Sequence, residues 1–99
     1  MQVLWLEQAE ADLRELSDYL LERSPGAALR TYEAIRESVA HLADHPGMGR
    51  PGRVAGTREL VIARTPYIVA YTVDQDLSSV IVLRVLHGAG RWPGEFSAS

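Results

Sequence analysis

The sequence predicts an α+β domain in which a hairpin of two helices covers one face of a small antiparallel sheet. Two observations predict this fold class. Apolar residues recur every three or four positions through residues 9–42, which is the spacing of amphipathic helices. After residue 56 the chain changes to three runs rich in Val, Ile, Leu and Tyr, joined by short connections, as expected for neighbouring antiparallel strands. The predicted order of elements is β-α-α-β-β-β.

The first half of the chain begins with a short strand and an amphipathic helix. Val3–Leu6 is an apolar run that predicts a strand. The first helix is predicted from about Gln8, because Leu13, Leu16 and Leu20 fall on one helical stripe.

A second helix is predicted to begin at Ser24-Pro25. Serine favours the N-cap position, and proline favours the first helical position because its missing N–H is not needed there. The apolar stripe of this helix consists of Ala28, Tyr32, Ile35, Val39 and Leu42. We expect the helix to end near His45-Pro46, since a residue before proline avoids the helical conformation. With almost no linker between them, the two helices should form an antiparallel hairpin.

The second half of the chain contains a loop and three strands. Residues 46–56 hold four Gly and two Pro, which predicts a loop. Strands are predicted at Thr57–Ala63, Tyr67–Val73 and Val80–Leu86, and their short connections favour an antiparallel meander. The helices leave the other face of this sheet partly open. We expect residues 1–99 to form one domain with a frayed tail at Gly94–Ser99.

Composition and charge exclude several classes of protein. The net charge of −3 does not favour a globally basic nucleic-acid binder, and the absence of cysteine excludes disulfides and thiolate metal sites. The N-terminus has no basic region followed by an apolar stretch, so we expect no signal peptide and a cytoplasmic location. Residues 1–49 carry four Arg and nine Asp or Glu, whereas residues 50–99 carry six Arg and four Asp or Glu. The helical half is therefore acidic and the strand-rich half is mildly basic.

The candidate site lies at the end of the last predicted strand. Strict alternation places Val85 and His87 on one face of this strand and Arg84 on the other. One interpretation is an open sheet face that presents Arg84, with His87, Arg91 and Trp92 at its rim. The alternative is a histidine at a strand end and an arginine whose stem packs while its head reaches solvent. Both interpretations remain open at the level of sequence.

Three other patterns give weaker indications of function. The GxGxxG pattern at residues 47–52 follows a helix and precedes a strand, which is the reverse of a dinucleotide-binding motif. His41 and His45 have a metal-like spacing, but a zinc site needs three or four ligands and no further ligand lies close by in the sequence. The arginines at positions 50, 53, 58 and 64 could contact phosphates or an acidic partner, although a solvated rim is favoured.

These patterns together resemble the RelE/ParE superfamily of toxins from bacterial type II toxin–antitoxin modules. The resemblance covers nearly the whole chain and lies in the helix hairpin and in four motifs, which are HPGMGRPG (45–52), GTREL (56–60), TPYIVAYTV (65–73) and VLRVLHGAGRWP (82–93). It implies the β-α-α-β-β-β fold and a separately encoded antitoxin that neutralises the toxin. It also implies one of two targets, since RelE-like members cut mRNA on the ribosome without a metal and ParE-like members poison DNA gyrase.

The residues favour the ParE-like branch. For RelE-like members, the resemblance implies an active site made of a cluster of Lys, Arg and a terminal Tyr on the open sheet face. Here Glu59 and Val61 stand where lysines would be expected, Ile68 stands where an arginine would be, and no Tyr follows Trp92. Many relatives have an Arg three residues after the His that corresponds to His87, where this chain has Gly90 and then Arg91.

We therefore expect a toxin that binds DNA gyrase, is neutralised by a cognate antitoxin, and needs no cofactor or metal. The predicted target contacts are Arg58, Arg84, His87, Arg91 and Trp92. One alternative is a ribosome-dependent mRNA endoribonuclease whose catalytic residues are Arg58, Arg84, His87 and Arg91. Another is an inactive homologue that only binds its antitoxin.

Overall fold

A computed structural model of the protein describes residues 1–90 and Trp92. Two helices pack against one face of a five-stranded sheet. In chain order the elements are β1 (Gln2–Trp5), α1 (Glu7–Arg23), α2 (Pro25–Ala40), a 3₁₀ helix (His41–Ala43), β2 (Arg50–Pro51), β3 (Arg58–Val61), β4 (Tyr67–Asp74) and β5 (Ser79–His87). The predicted fold class is confirmed, and the loop at residues 46–56 contains the additional short strand β2.

The sheet is mixed, whereas a wholly antiparallel sheet was predicted. Its strand order is β1-β5-β4-β3-β2. The strands from β2 to β5 pair as an antiparallel meander, but β1 pairs with β5 in parallel, with Val3 opposite Val80. The apolar pattern of β1 predicts a strand without fixing its direction. The helix hairpin and the strands from β2 to β4 together form the long connection that joins this parallel pair.

The start of α2 follows the prediction, and its end does not. The Ser24 side chain caps the helix by accepting the Ala27 backbone N–H at 3.3 Å, with Pro25 in the first turn. The α-helix ends at Ala40 rather than near His45, and the chain tightens into the 3₁₀ turn before it reaches Pro46. Proline predicts that a helix has ended, but it does not predict how many residues earlier the tightening begins.

An irregularity in β5 corrects the predicted faces of that strand. Tyr71 lies opposite Val82 and Ala70 lies opposite Arg84, so Leu83 is an extra residue between the two pairs. An inserted residue reverses the alternation beyond it. Val82 and Val85 therefore both belong to the core cluster between helices and sheet, although strict alternation puts them on opposite faces.

The core fixes the loop that leads into β2 and β3. Tyr71 is fully buried, and its hydroxyl donates to the Pro46 carbonyl at 2.8 Å and accepts the Gly49 N–H at 2.9 Å. A Cβ on Gly49 would lie 2.7 Å from that hydroxyl, so only glycine fits there. One core side chain thus positions the loop that carries Arg50 and Arg53.

Candidate functional site

The sheet face opposite the helices contains a buried carboxylate that two arginines surround. Leu60 and Val69 face the core as a cross-strand pair, so the neighbouring pair of Glu59 and Ala70 lies on the other face. The Glu59 side chain is only 3% exposed. It accepts hydrogen bonds from Arg50 Nη2 at 3.0 Å and from Arg53 Nε at 3.0 Å.

The backbone also contributes to this cluster, because the N–H of Arg53 donates to Glu59 Oε2 at 2.8 Å. Burial by itself raises the pKa of Glu59. The hydrogen bonds from the Arg53 backbone and from the Arg53 and Arg50 side chains outweigh burial and hold the pKa below its usual value. Glu59 is therefore an anion at neutral pH that pairs with two arginines and offsets one of their two positive charges. We name Arg50, Arg53 and Glu59 the Glu59 cluster.

Trp92 connects the Glu59 cluster to the end of β5. The Arg53 guanidinium carbon lies 3.5 Å from the centroid of the Trp92 ring, which is within the range of a cation–π contact. Trp92 Nε1 donates to the carbonyl oxygen of His87 at 3.1 Å. Two of the predicted contact residues, His87 and Trp92, are thus brought together with the loop arginine Arg53. Arg91 lies outside the described residues.

His87 occupies one wall of a cleft of about 320 Å³ between α1 and the ends of β4 and β5. Its Nδ1 accepts the Ala89 N–H at 3.1 Å, so the neutral ring carries its proton on Nε2. The ring meets Tyr67 edge to face, with centroids 5.7 Å apart. Burial, with a smaller contribution from Tyr19, raises the pKa of Tyr67, which therefore stays protonated at neutral pH. The remaining lining residues are Asp12, Glu15, Leu16, Tyr19, Val85 and Leu86.

Arg84 is engaged with α1. Its Nε donates to Asp12 Oδ2 at 2.8 Å and its Nη2 donates to Asp12 Oδ1 at 3.1 Å. The hydrogen bond to Asp12 raises the pKa of Arg84 despite the opposing effect of burial. Asp12 Oδ2 also accepts the Val85 backbone N–H at 2.9 Å, along the part of β5 beyond its pairing with β1. Asp12 therefore ties a helix to the edge of a strand.

Arg58 holds the preceding loop. Its Nη1 donates to the Gly49 carbonyl at 2.7 Å, and its strand partner is the core residue Tyr71. Arg58 and Arg84 therefore both have partners within the chain. Sequence reasoning missed the roles of Glu59 and Asp12. The only signal for Glu59 was an acidic residue in a strand that follows the loop arginines Arg50 and Arg53 in the sequence, and no signal in the sequence indicated Asp12.

The described residues contain no group of three or more His, Asp or Glu side chains that could hold a metal ion. Across residues 1–90 and Trp92, no helix has the length and apolarity to cross a membrane. The glycine pattern at 47–52 runs into β2 and not into a helix, which is not the setting of a dinucleotide site.

Comparison with known proteins identifies close relatives. A family model for the ParE toxin of type II toxin–antitoxin systems matches residues 3–92. The Sinorhizobium fredii protein Y4kP is 38% identical over 91 residues, which is 92% of each chain. Toxin RelE2 of Caulobacter vibrioides is 38% identical over 88 residues, covering 89% of this chain and 96% of the relative.

Solved structures agree with this relationship. A chain in the chromosomal ParDE toxin–antitoxin system of P. aeruginosa superposes with a TM-score of 0.78 and 30% identity, covering 88% of this chain and 95% of that one. A chain of the RelBE2 toxin–antitoxin complex of Mycobacterium tuberculosis gives a TM-score of 0.63 and 27% identity, covering 87% and 95%.

Proposed function

Because this chain belongs to the ParE toxin family of type II toxin–antitoxin systems, we propose that it inhibits growth by binding DNA gyrase and that a cognate antitoxin neutralises it. The observation that carries the choice of gyrase over RNA is the Glu59 cluster. The sheet face that would hold a nuclease site places a buried carboxylate against Arg50 and Arg53. Both candidate targets are cytoplasmic, and we assign the protein to that compartment.

The chemistry of RNA cleavage explains the weight given to this carboxylate. Cleavage without a metal requires a base for the 2′-hydroxyl, an acid for the leaving oxygen and cations for the developing phosphate charge. Arginine is a poor proton carrier, and Glu59 already engages both arginines of the cluster and offsets one of their two charges. An approaching phosphate would compete with a buried anion. The rim formed by exposed His87 and half-buried Trp92 suits contact with a protein surface, because both side chains are held in place by backbone hydrogen bonds.

A gyrase supercoiling assay tests this proposal. The purified chain should inhibit supercoiling, and Trp92→Ala should weaken inhibition at least tenfold, which is the effect of losing one central aromatic contact. Arg14→Gln is the control, because Arg14 is an exposed residue on α1 and lines a different cleft from the one that His87 lines. Addition of the antitoxin should restore supercoiling.

The alternative function is the ribosome-dependent endoribonuclease. His87 favours it, because Nδ1 is anchored to the Ala89 N–H and Nε2 is left for proton transfer beside Tyr67. A relative named Toxin RelE2 also agrees with it. A translation reaction separates the two functions. The gyrase proposal would be ruled out if the wild-type chain cuts mRNA, the His87→Ala variant does not, and gyrase activity is unaffected. A chain without effect in both assays would be the inactive antitoxin-binding homologue.

A further inference from the structure

We propose that a second cleft, separate from the face that carries Trp92, binds a phosphate group. This cleft has a volume of about 290 Å³ and lies between α2 and the turn that joins β3 to β4. The helix contributes Arg30 and Thr31, and the turn contributes Arg64 and Thr65. The other lining residues are Ala27, Ala34 and Ala63, so none of them is acidic.

Both arginines of this cleft lack a partner of opposite charge. Within residues 1–90 and Trp92, neither Arg30 nor Arg64 forms an ion pair or a side-chain hydrogen bond. By contrast, Arg36 pairs with Glu10 and Arg84 pairs with Asp12, and both arginines of the Glu59 cluster pair with Glu59. The cleft therefore combines two uncompensated positive charges. Planar guanidinium groups bind phosphate oxygens through paired hydrogen bonds, and the Thr31 hydroxyl adds a further donor.

The position of Arg30 strengthens the positive potential. A Cβ on Gly26 would lie 3.1 Å from Arg30 Nη1, so the guanidinium folds back toward the first turn of α2. The N-terminus of a helix carries partial positive charge, which an acidic residue in the first turn often offsets. The first turn of α2 contains no acidic residue. An anion in the cleft would interact favourably with the two arginine side chains.

Arg64 adds an independent observation, because its backbone lies in the left-handed region with φ of 65°. The turn is rigid, since Thr65 Oγ1 donates to the Ile62 carbonyl at 2.9 Å and accepts the Tyr67 N–H at 3.1 Å. When the third residue of a β-turn has a positive φ, as Arg64 does, that residue is usually glycine. Arginine is therefore unfavourable for the backbone at this position, and backbone strain of this kind occurs often at functional sites.

The ligand class follows from charge and shape. Two guanidinium groups match a phosphate monoester, which carries a charge between −1.5 and −2 at neutral pH. No aromatic side chain lines the cleft, so it offers no stacking surface for a base. We therefore assign recognition to the phosphate itself. A nucleotide or a 5′-phosphorylated nucleic-acid end could supply it. This proposal is independent of the choice between gyrase and RNA.

Calorimetric titration of the full chain at low salt tests the site. The probes are inorganic phosphate, AMP and a short single-stranded DNA with or without a 5′-phosphate. Arg30→Gln and Arg64→Gly should each weaken phosphate binding about tenfold or more, the effect of losing one charge-assisted contact. Arg14→Gln, which removes an exposed arginine elsewhere, should bind as the wild type does. Arg64→Gly should also raise the melting temperature, because glycine relieves the backbone strain, so lost binding would not reflect lost folding.

The outcomes separate the possible ligands. Tighter binding of the 5′-phosphorylated DNA than of AMP would identify a nucleic-acid end, and the reverse would identify a nucleotide; either result supports the site. Undiminished phosphate binding in both variants, or no binding at millimolar phosphate, would overturn the proposal. Binding of a glutamate-rich peptide in place of phosphate, lost in the same two variants, would assign the cleft to an acidic protein partner and would also overturn it.

Discussion

Glu59 is the residue whose environment most changes the interpretation of the sheet face. The Glu59 side chain is only 3% exposed, and burying this charge without partners would cost much free energy, because burial removes the hydration of the carboxylate. Five hydrogen bonds from Arg50 and Arg53 compensate for this cost, and one of them comes from the backbone N–H of Arg53. Glu59 therefore holds the loop against β3 and offsets one of the two positive charges of Arg50 and Arg53.

Glu59→Gln should lower the free energy of unfolding at pH 7 by about 2 kcal/mol, because the charge-assisted hydrogen bonds become weaker. The pKa of Glu59 is lower in the folded chain than in the unfolded one, so its contribution is present above the ordinary glutamate pKa of about 4.3. The contribution is lost as the pH falls through the lowered pKa. The difference in the free energy of unfolding between the wild type and the variant should therefore stay constant from about pH 5 to about pH 8, and it should shrink below about pH 4.

Urea unfolding at a series of pH values measures this difference. Glu37→Gln is the control, because Glu37 is an exposed glutamate on α2 without an ion pair in the described part of the chain. A difference that persists unchanged at low pH would show that Glu59 does not act through its charge.

At the scale of elements, the Asp12–Arg84 pair joins α1 to β5. The two residues are 72 positions apart, and the Asp12 carboxylate also satisfies the Val85 N–H beyond the end of the β1 pairing. The side chains are 8% and 24% exposed, so removing one partner leaves the other poorly solvated. The inserted residue Leu83 precedes this contact and changes the alternation of the strand just where the helix meets it.

Asp12→Ala should destabilise the fold by about 3 kcal/mol, because it leaves a partly buried guanidinium and a backbone N–H unpaired. Adding Arg84→Met removes the unpaired charge and should recover about 1 kcal/mol or more in a double-mutant cycle. Chemical denaturation of the four proteins gives the coupling free energy. Strictly additive effects of the two substitutions would contradict an energetic coupling between these residues.

At the scale of the whole molecule, the acidic helix hairpin also carries exposed apolar side chains. Leu21 and Leu29 are 50% and 59% exposed, and Tyr32 is 39% exposed. Together with Ser17, Pro25 and Ala28 they line an apolar groove between the helices. Apolar groups gathered in one groove favour contact with a partner, and we expect the antitoxin to cover them.

Leu29→Asp should weaken antitoxin binding at least tenfold, because it places a charge in the apolar groove. Stability should change little, since the side chain is already 59% exposed. Leu77→Asp is a matched control, because Leu77 is a 56% exposed leucine in the β4–β5 turn, outside the hairpin. Calorimetric titration with the purified antitoxin measures both. Equal affinity of the two variants would place the antitoxin elsewhere.

The sequence by itself determined the elements of this protein. Helical periodicity, the Ser24-Pro25 start and the strand-rich runs are local properties, and they predicted the two helices, four of the five strands and the family resemblance. The sequence places His87 and Trp92 near each other at the end of β5, and the Trp92 indole does donate to the His87 carbonyl there, whereas their role as target contacts stays a prediction. The mixed sheet, the reversed alternation after Leu83 and the partners of Glu59 and Asp12 were decided only by the tertiary structure. These features depend on strand order, register and contacts between distant residues, which local patterns do not encode.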